Sequence, residues 1–283
     1  LAARPKTLPA AAAPVIVGTA VAISEDVFSF WPALAALLGA LLIQIGANFA
    51  NDVFDYKKGA DTTERLGPLR VTQAGLLTPR QVMIGMWLTF GLAALVGLYL
   101  IAVGGWPIII IGILSILSGI AYTGGPFPLG YNGLGDVFVF IFFGLVAVCG
   151  TYYVQALTVS KAALWTSVSV GLLATAILVV NNLRDIDTDR AAGKKTLAVR
   201  FGVRGAQIEY FLLLAISYAI PPLMWLTGIS SLWVMLSWVS LLLVKPLIRM
   251  VMREKGRPLN QALAGTARLE LVFAFLFSAG LII

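Results

Sequence analysis

The stretch WPALAALLGALLIQIGANFANDVFDYKKGAD, residues 31–61, decides the fold. From Trp31 to Ala47 it is apolar but for Gln44, and about 20 such residues cross a hydrocarbon core as a helix. The run then closes on Asp52 and Asp55. A carboxylate inside a bilayer is expensive, so ionisable residues there mark a pathway or a site. The arrangement returns far downstream in NNLRDIDTDRAAGKKT, residues 181–196.

Composition carries the same message over the whole chain. Of the 283 residues, 59% are hydrophobic and 12% charged, with mean hydropathy +0.93. A soluble domain carries about 25% charged residues, so the expectation is an all-α polytopic membrane protein. The net charge of +7 reflects Lys and Arg gathered in cytoplasmic loops. No basic stripe with interleaved aromatics points to nucleic acid. The absence of histidine removes haem ligation, His-bound zinc and His-based acid–base work. Cys149 stands alone, so there is no disulfide framework. Any metal must be hard and oxygen-bound: Mg²⁺, Ca²⁺ or Mn²⁺. The chain begins at Leu1 rather than Met, so residues ahead of it are expected.

Apolar runs lie near 8–23, 31–52, 81–103, 106–122, 134–156, 162–183, 207–227, 230–250 and 262–283. The first is read as a span rather than a signal peptide. That predicts about nine transmembrane helices in one domain covering 1–283. Basic residues follow the second, sixth and eighth runs and flank the first. By the positive-inside rule the N-terminus is cytoplasmic and the C-terminus lies on the periplasmic or extracellular side of the cell (inner) membrane. Both Asp-rich segments then close even-numbered helices on the cytoplasmic side.

On a helix, Asn48, Asn51, Asp52 and Asp55 share one face, with Gln44 one turn deeper. Asn182, Asp185 and Asp189 repeat the stripe if the second helix persists, with Asn181 beside Asp185, and Asp187 then points elsewhere. Two such stripes facing each other gather about four carboxylates, tolerable only with cations between them. Arg65 and Arg70 follow the first motif, Lys194 and Lys195 the second. Carboxylates, a hard divalent ion and clustered basic residues read together as a diphosphate site. An EF-hand reading of DIDTDRAAGKKT fails, because Arg190 stands where glycine is needed and Thr196 where glutamate is.

These residues carry a resemblance. NDVFD (51–55) and RDIDTDRAAGKKT (184–196), each closing a membrane helix, resemble the UbiA superfamily of intramembrane aromatic prenyltransferases. RPKTLPAAAAPVIVGTA (4–20), GANFANDVFDYKKGADTTERLGPLRVTQAGLLTP (46–79) and NNLRDIDTDRAAGKKTLAVRFG (181–202) are similar to its menaquinone branch, the 1,4-dihydroxy-2-naphthoate polyprenyltransferases. The resemblance implies helices around a central cavity with the active site at its cytoplasmic side. It implies transfer of a polyprenyl group from polyprenyl diphosphate to an aromatic acid, here with loss of the carboxyl group. Asn51, Asp52, Asp55, Asp185 and Asp189 would hold Mg²⁺, with Mn²⁺ as its substitute, against the diphosphate. Lys195 and Lys194 would sit on the phosphates. Asn48, Asn182, Arg65, Arg70 and Tyr122 complete the expected substrate site. The superfamily pattern often carries a further Asp four residues after Asp55, where this chain has Gly59, with Asp61 following.

The chemistry explains the apolar surroundings. Departing diphosphate leaves an allylic carbocation that water would quench, so the cavity must be dry, and aromatic faces can steady the charge. Tyr56, Tyr122, Phe127, Tyr131, Tyr152 and Tyr153 are candidates. Arg268 and Glu270 read as snorkelling residues or an internal ion pair. Two rivals stay open: a sibling enzyme for 4-hydroxybenzoate, homogentisate or a porphyrin-type acceptor, and a cation-coupled transporter.

Overall fold

The computed structural model describes residues 2–59 and 66–283, without the side chain of Lys6. Asp61 and Arg65, both singled out above, lie outside the described residues. All regular elements among the described residues are helical, as the composition requires.

The helices are α1 (Leu8–Ser24), α2 (Phe30–Lys57), α3 (Pro79–Gly104), α4 (Trp106–Ala121), α5 (Gly135–Val139) and α6 (Gly150–Ala156). A π-helical segment, Phe140–Cys149, joins α5 to α6. There follow α7 (Lys161–Arg184), α8 (Ile186–Ala191), α9 (Leu197–Leu226), α10 (Leu241–Arg253) and α11 (Leu259–Ile282), with the 3₁₀ segment Leu232–Ser240 leading into α10. Among the described residues, seven helical stretches are long and apolar enough to cross a membrane. The runs at α1 and α4 form shorter apolar helices.

Local chemistry sets the boundaries. The Oγ1 of Thr78 accepts from the Gln81 amide, and the Gln81 side chain returns to the Thr78 amide. That reciprocal cap, with Pro79 in the first turn, starts α3. Ser160 caps α7 through the Ala163 amide. Thr196 caps α9 through the Val199 amide, so the helix starts at Leu197, well ahead of the apolar run at 207. Gly202 then takes φ 74°, a conformation suited to glycine, and α9 bends there.

One expectation needs correcting. The second motif does not ride a single helix: α7 ends at Arg184, Asp185 leaves helical geometry (φ −97°, ψ 11°), and α8 starts afresh. The turn is nevertheless kept, because the Asp189 amide donates to the Asp185 carbonyl at 2.7 Å.

The main core joins α1, α7, α9 and α11. Small residues let backbones meet: a Cβ on Gly144 would stand 2.7 Å from the Gly171 Cα, so the π segment and α7 cross in direct backbone contact. Ser169 and Ser217 exchange hydrogen bonds with each other's carbonyls at 2.8 and 2.9 Å, locking α7 to α9. Glu270 is fully buried on α11 with both oxygens unpartnered, so it forms no ion pair with Arg268.

Helices α1 to α8, the π segment and the start of α11 enclose a cavity of about 640 Å³. It runs along α2 from Ala36 to Asp55, about 28 Å at the rise of an α-helix. Its far walls are aliphatic, and its polar end is where both Asp motifs arrive. Asn48 reaches Ala3 at that same end, and Arg184 reaches Asn260 at the start of α11. The first described residues and both motifs therefore share one end of the bundle, and α11 finishes at the other.

Candidate active site

The last two turns of α2 divide their polar residues between two jobs. Asn48, Asn51 and Asp55 line the cavity. Asp52, 1% exposed, does not: its two oxygens accept from the amides of Val71 and Thr72 at 3.2 and 3.1 Å. Helical geometry accounts for this placement, away from the other residues expected to hold a metal. At about 100° per residue the stripe runs in the order Asn51, Asp55, Asn48, Asp52, which puts Asp52 at one edge. From there it holds the 70–72 backbone and so delivers Arg70.

Arg70 meets Asp55 at 2.8 Å, both side chains nearly inaccessible. The Tyr131 hydroxyl donates to the other Asp55 oxygen at 2.7 Å. Asn51 accepts from the Thr123 hydroxyl at 3.0 Å. Asn48 donates to the Ala3 carbonyl and the Thr7 hydroxyl, each at 3.0 Å. It thereby pins the N-terminal segment whose Arg4 also lines the cavity.

Asn181, Asn182, Asp185 and Asp189 supply the opposite wall. Arg184 is the hub that the sequence reading missed. Its guanidinium, 1% exposed, donates to both oxygens of Asp185, to Asn181 at 2.8 Å and to Asn260 at 2.8 Å. Asn260 in turn donates to the Leu66 carbonyl at 2.9 Å, joining both motif regions to α11. An arginine in a run otherwise rich in apolar residues was the available signal, since a buried guanidinium must be paired.

Asp189 pairs with Lys194 at 3.1 Å. Burial raises the Asp189 carboxyl above its usual range, with Lys194 opposing. Burial alone would lower Lys194, but the charges of Asp55 and Asp189 outweigh it and hold the ammonium above its ordinary value. The two lysines expected on the phosphates take different positions. Lys194 lines the cavity, whereas Lys195 is exposed and engages through its backbone, its amide donating to the Tyr131 carbonyl at 2.7 Å. Asp187 is 87% exposed and reaches only Arg190, at 3.5 Å, in keeping with its pointing away.

Tyr131 stands between the motifs. The ammonium groups of Lys58 and Lys194 lie 4.9 and 4.8 Å from its ring centroid. Lys58 also donates to the Thr123 carbonyl at 2.8 Å, and Arg200 donates to the Asn132 carbonyl at 2.9 Å. The connection between α4 and α5 is thus fastened across the polar mouth. Tyr122 lines the cavity just inside it. Deeper in, Phe138 and Phe142 stack at 6.1 Å on the cavity wall.

The donor set suits a hard divalent ion. Asn51, Asp55, Asn181, Asp185 and Asp189 all present oxygen at one end of one cavity. Among the described residues no three acidic side chains form a ready cage. Magnesium does not require one, since it typically takes one or two carboxylates and completes its shell with substrate phosphates and water.

A model of the UbiA prenyltransferase family matches residues 11–280. A 1,4-dihydroxy-2-naphthoate octaprenyltransferase of Escherichia coli is 44% identical over 260 residues, covering 89% of this chain and 83% of the relative. One from Bacillus subtilis is 33% identical over 290 residues, covering 99% and 90%. A solved UbiA homolog from Archaeoglobus fulgidus, bound to GPP and Mg²⁺, has the same fold with TM-score 0.66 at 16% identity, covering 99% of this chain and 98% of that one.

Proposed function

The chain belongs to the UbiA prenyltransferase family, and from that we propose that it transfers a polyprenyl group from polyprenyl diphosphate to 1,4-dihydroxy-2-naphthoate, releasing diphosphate and CO₂. The observation that carries this reading is the joint between two environments. Carboxylates, amides and cations from both motifs meet at the mouth of a long aliphatic cavity. That is the shape of a molecule with a charged head and a hydrocarbon tail. The names of the relatives above supply the acceptor.

Asn51, Asp55, Asp185 and Asp189 would hold Mg²⁺, or Mn²⁺ in its place, while Asp52 positions the 70–72 loop. When bound, the metal neutralises diphosphate charge and makes it a better leaving group. The remaining functions belong to this chain's own side chains. Arg70, Lys58 and Lys194 surround the diphosphate position with positive charge. The aliphatic wall keeps water from the allylic cation, and Tyr122, Phe138 and Phe142 line the same cavity as aromatic groups able to steady the charge. An extended prenyl chain advances roughly 5 Å per four-bond unit, so the cavity takes about six units before the tail must turn.

The acceptor attacks through the ring carbon bearing the carboxyl group, which the adjacent 1-hydroxyl makes electron-rich. A C–C bond forms to the prenyl C1 while the C1–O bond to diphosphate breaks. The carboxylate then leaves as CO₂, its bonding electrons restoring the aromatic ring. Arg4, which lines the cavity, would offer a cation to that carboxylate before it departs. The basic connections support a cytoplasmic position for this mouth, where diphosphate and acceptor would arrive from water and the tail from the bilayer.

The test is direct. Purified protein given a polyprenyl diphosphate, Mg²⁺ and a mixture of aromatic acids is expected to yield a prenylated naphthoquinol, lighter by one CO₂ than the simple adduct. Alkylation of 4-hydroxybenzoate alone, with its carboxylate retained, would overturn the acceptor while keeping the reaction class.

A further inference from the structure

We propose that the groove between α9 and α10, at the end of the bundle that carries the Asp motifs, binds an anionic phospholipid. The groove encloses about 240 Å³ and lies between Ile208 and Phe211 of α9 and Ile248 and Met252 of α10. Ile208, Phe211 and Met252 are 61%, 54% and 53% exposed on spanning helices, so this apolar surface faces acyl chains rather than the core. Gln207 closes its inner side, donating to the carbonyls of Val251 and Met252 at 3.1 and 3.2 Å. Those are among the last carbonyls of α10, and their hydrogen bonds reduce the negative potential that a helix C-terminus presents to an anion.

Charge around the groove gives the occupant its sign. Lys245 and Arg249 are both exposed on α10, inside a candidate span, and share a face with Ile248 and Met252. Arg204 is exposed on α9, one turn before Ile208 and just past the bend at Gly202. Arg253, Lys255 and Arg257 follow at the end of α10. Among the described residues none of these cations lies within ion-pair distance of a carboxylate. Basic residues facing hydrocarbon are costly unless they reach the interface or find a counter-charge. Arg249, one turn from the helix end, reaches the headgroup level by snorkelling. Lys245 lies a further turn down, at the depth of a glycerol backbone or upper acyl chain.

A phosphodiester held by Arg249 and Arg204, with one acyl chain lying along Ile208, Phe211 and Ile248, meets both demands at once. Basic pockets between membrane helices recognise lipid headgroups in this way. A soluble phosphate would leave the apolar part of the groove uncovered, so the ligand is the lipid itself. The wall opposite the groove belongs to the core around α7 and α11, away from the prenyl cavity, so this site is separate from the one that does chemistry.

The experiment needs no turnover and is independent of the reaction proposed above. Delipidated protein is placed in phosphatidylcholine vesicles containing a small fraction of photoactivatable phosphatidylglycerol, and crosslinked peptides are mapped. Crosslinks are expected to concentrate on 204–211 and 245–253, at least fivefold above those from a matched phosphatidylcholine probe. Lys245→Gln with Arg249→Gln should abolish the preference, Arg249→Lys should largely keep it, and Lys161→Gln at the other end should leave it intact. Equal capture of the two probes by the wild-type protein, or crosslinks spread evenly over the lipid-facing helices, overturns the proposal even if the double variant does not fold. Displacement of the probe by free glycerol phosphate at comparable concentration also overturns it, since a headgroup alone would then suffice.

Discussion

The hydroxyl of Tyr131 and Oδ1 of Asp55 meet at 2.7 Å although 76 residues separate them in sequence. The contact joins the connection after α4 to the last turns of α2, and the Tyr131 ring lies beside the Lys194 ammonium of the second motif.

Tyr131→Phe removes the hydroxyl and keeps the ring between Lys58 and Lys194. A hydrogen bond to a charged group contributes about 1.5–3 kcal/mol, so kcat/KM for the diphosphate is expected to fall about 10- to 100-fold. Tyr131→Leu also loses the cation–π contacts and should fall further, by about another 2- to 30-fold. Pyrophosphate release measured against Mg²⁺ concentration checks both. Equal activity in Phe and wild type would remove Tyr131 from the site.

Asp52 and Asp55 are expected to separate cleanly. Asp55→Asn should abolish measurable turnover at any Mg²⁺ concentration. Asp52→Asn weakens only the hold on Val71 and Thr72, a loss of about 1–2 kcal/mol, so it should raise KM several-fold and leave kcat within about tenfold of wild type. Matching the two variants in full kinetic profiles decides between a ligand and a support. Identical loss at both positions would return Asp52 to the reacting centre.

Lys194→Gln is predicted to lose at least about 100-fold in kcat/KM, because a buried cation facing diphosphate is removed. Lys195→Gln should stay within about twofold, since its contact to Tyr131 runs through the backbone and its side chain is exposed. The same steady-state assay reads both, and a reversed ranking would contradict the geometry.

Arg184→Gln leaves Asp185 without its buried partner. Breaking such a pair costs about 3–5 kcal/mol, so thermal unfolding in detergent, followed by tryptophan fluorescence, should shift down by many degrees. An unchanged midpoint would mean that Asn181 and Asn260 hold the segment unaided.

Much of this was legible in the chain. Bilayer-length apolar runs fixed the helices, and the i, i+3, i+4, i+7 spacing put Asn48, Asn51 and Asp55 on one surface. The same spacing could not exclude Asp52, because a helical stripe is about 100° wide and a loop waits at its edge. Lys194 and Lys195 are adjacent in the motif and indistinguishable by pattern, whereas in the fold the Lys195 amide is tied to the Tyr131 carbonyl and Lys194 lines the cavity. Tyr131 was underrated because its partner Asp55 lies 76 residues away, and local periodicity carries no information about such a meeting. For Arg184 only the tie to Asn260 was hidden in that way, since Asp185 and Asn181 are its near neighbours in sequence. The π-helical wall was likewise unreadable, since Phe140–Cys149 is uniformly apolar.

The α4–α5 connection is tied to α2 through Thr123 and Tyr131, and to the α8–α9 region through the Tyr131 and Asn132 carbonyls. A segment fastened on both banks behaves as a bridge rather than a hinged door. It cannot swing off one motif while resting on the other, so access for the charged head is gained or lost at both motifs together. Half-assembled states, with one bank ready and the other open to water, are thereby made rare, and in those states a carbocation would be spent on hydrolysis.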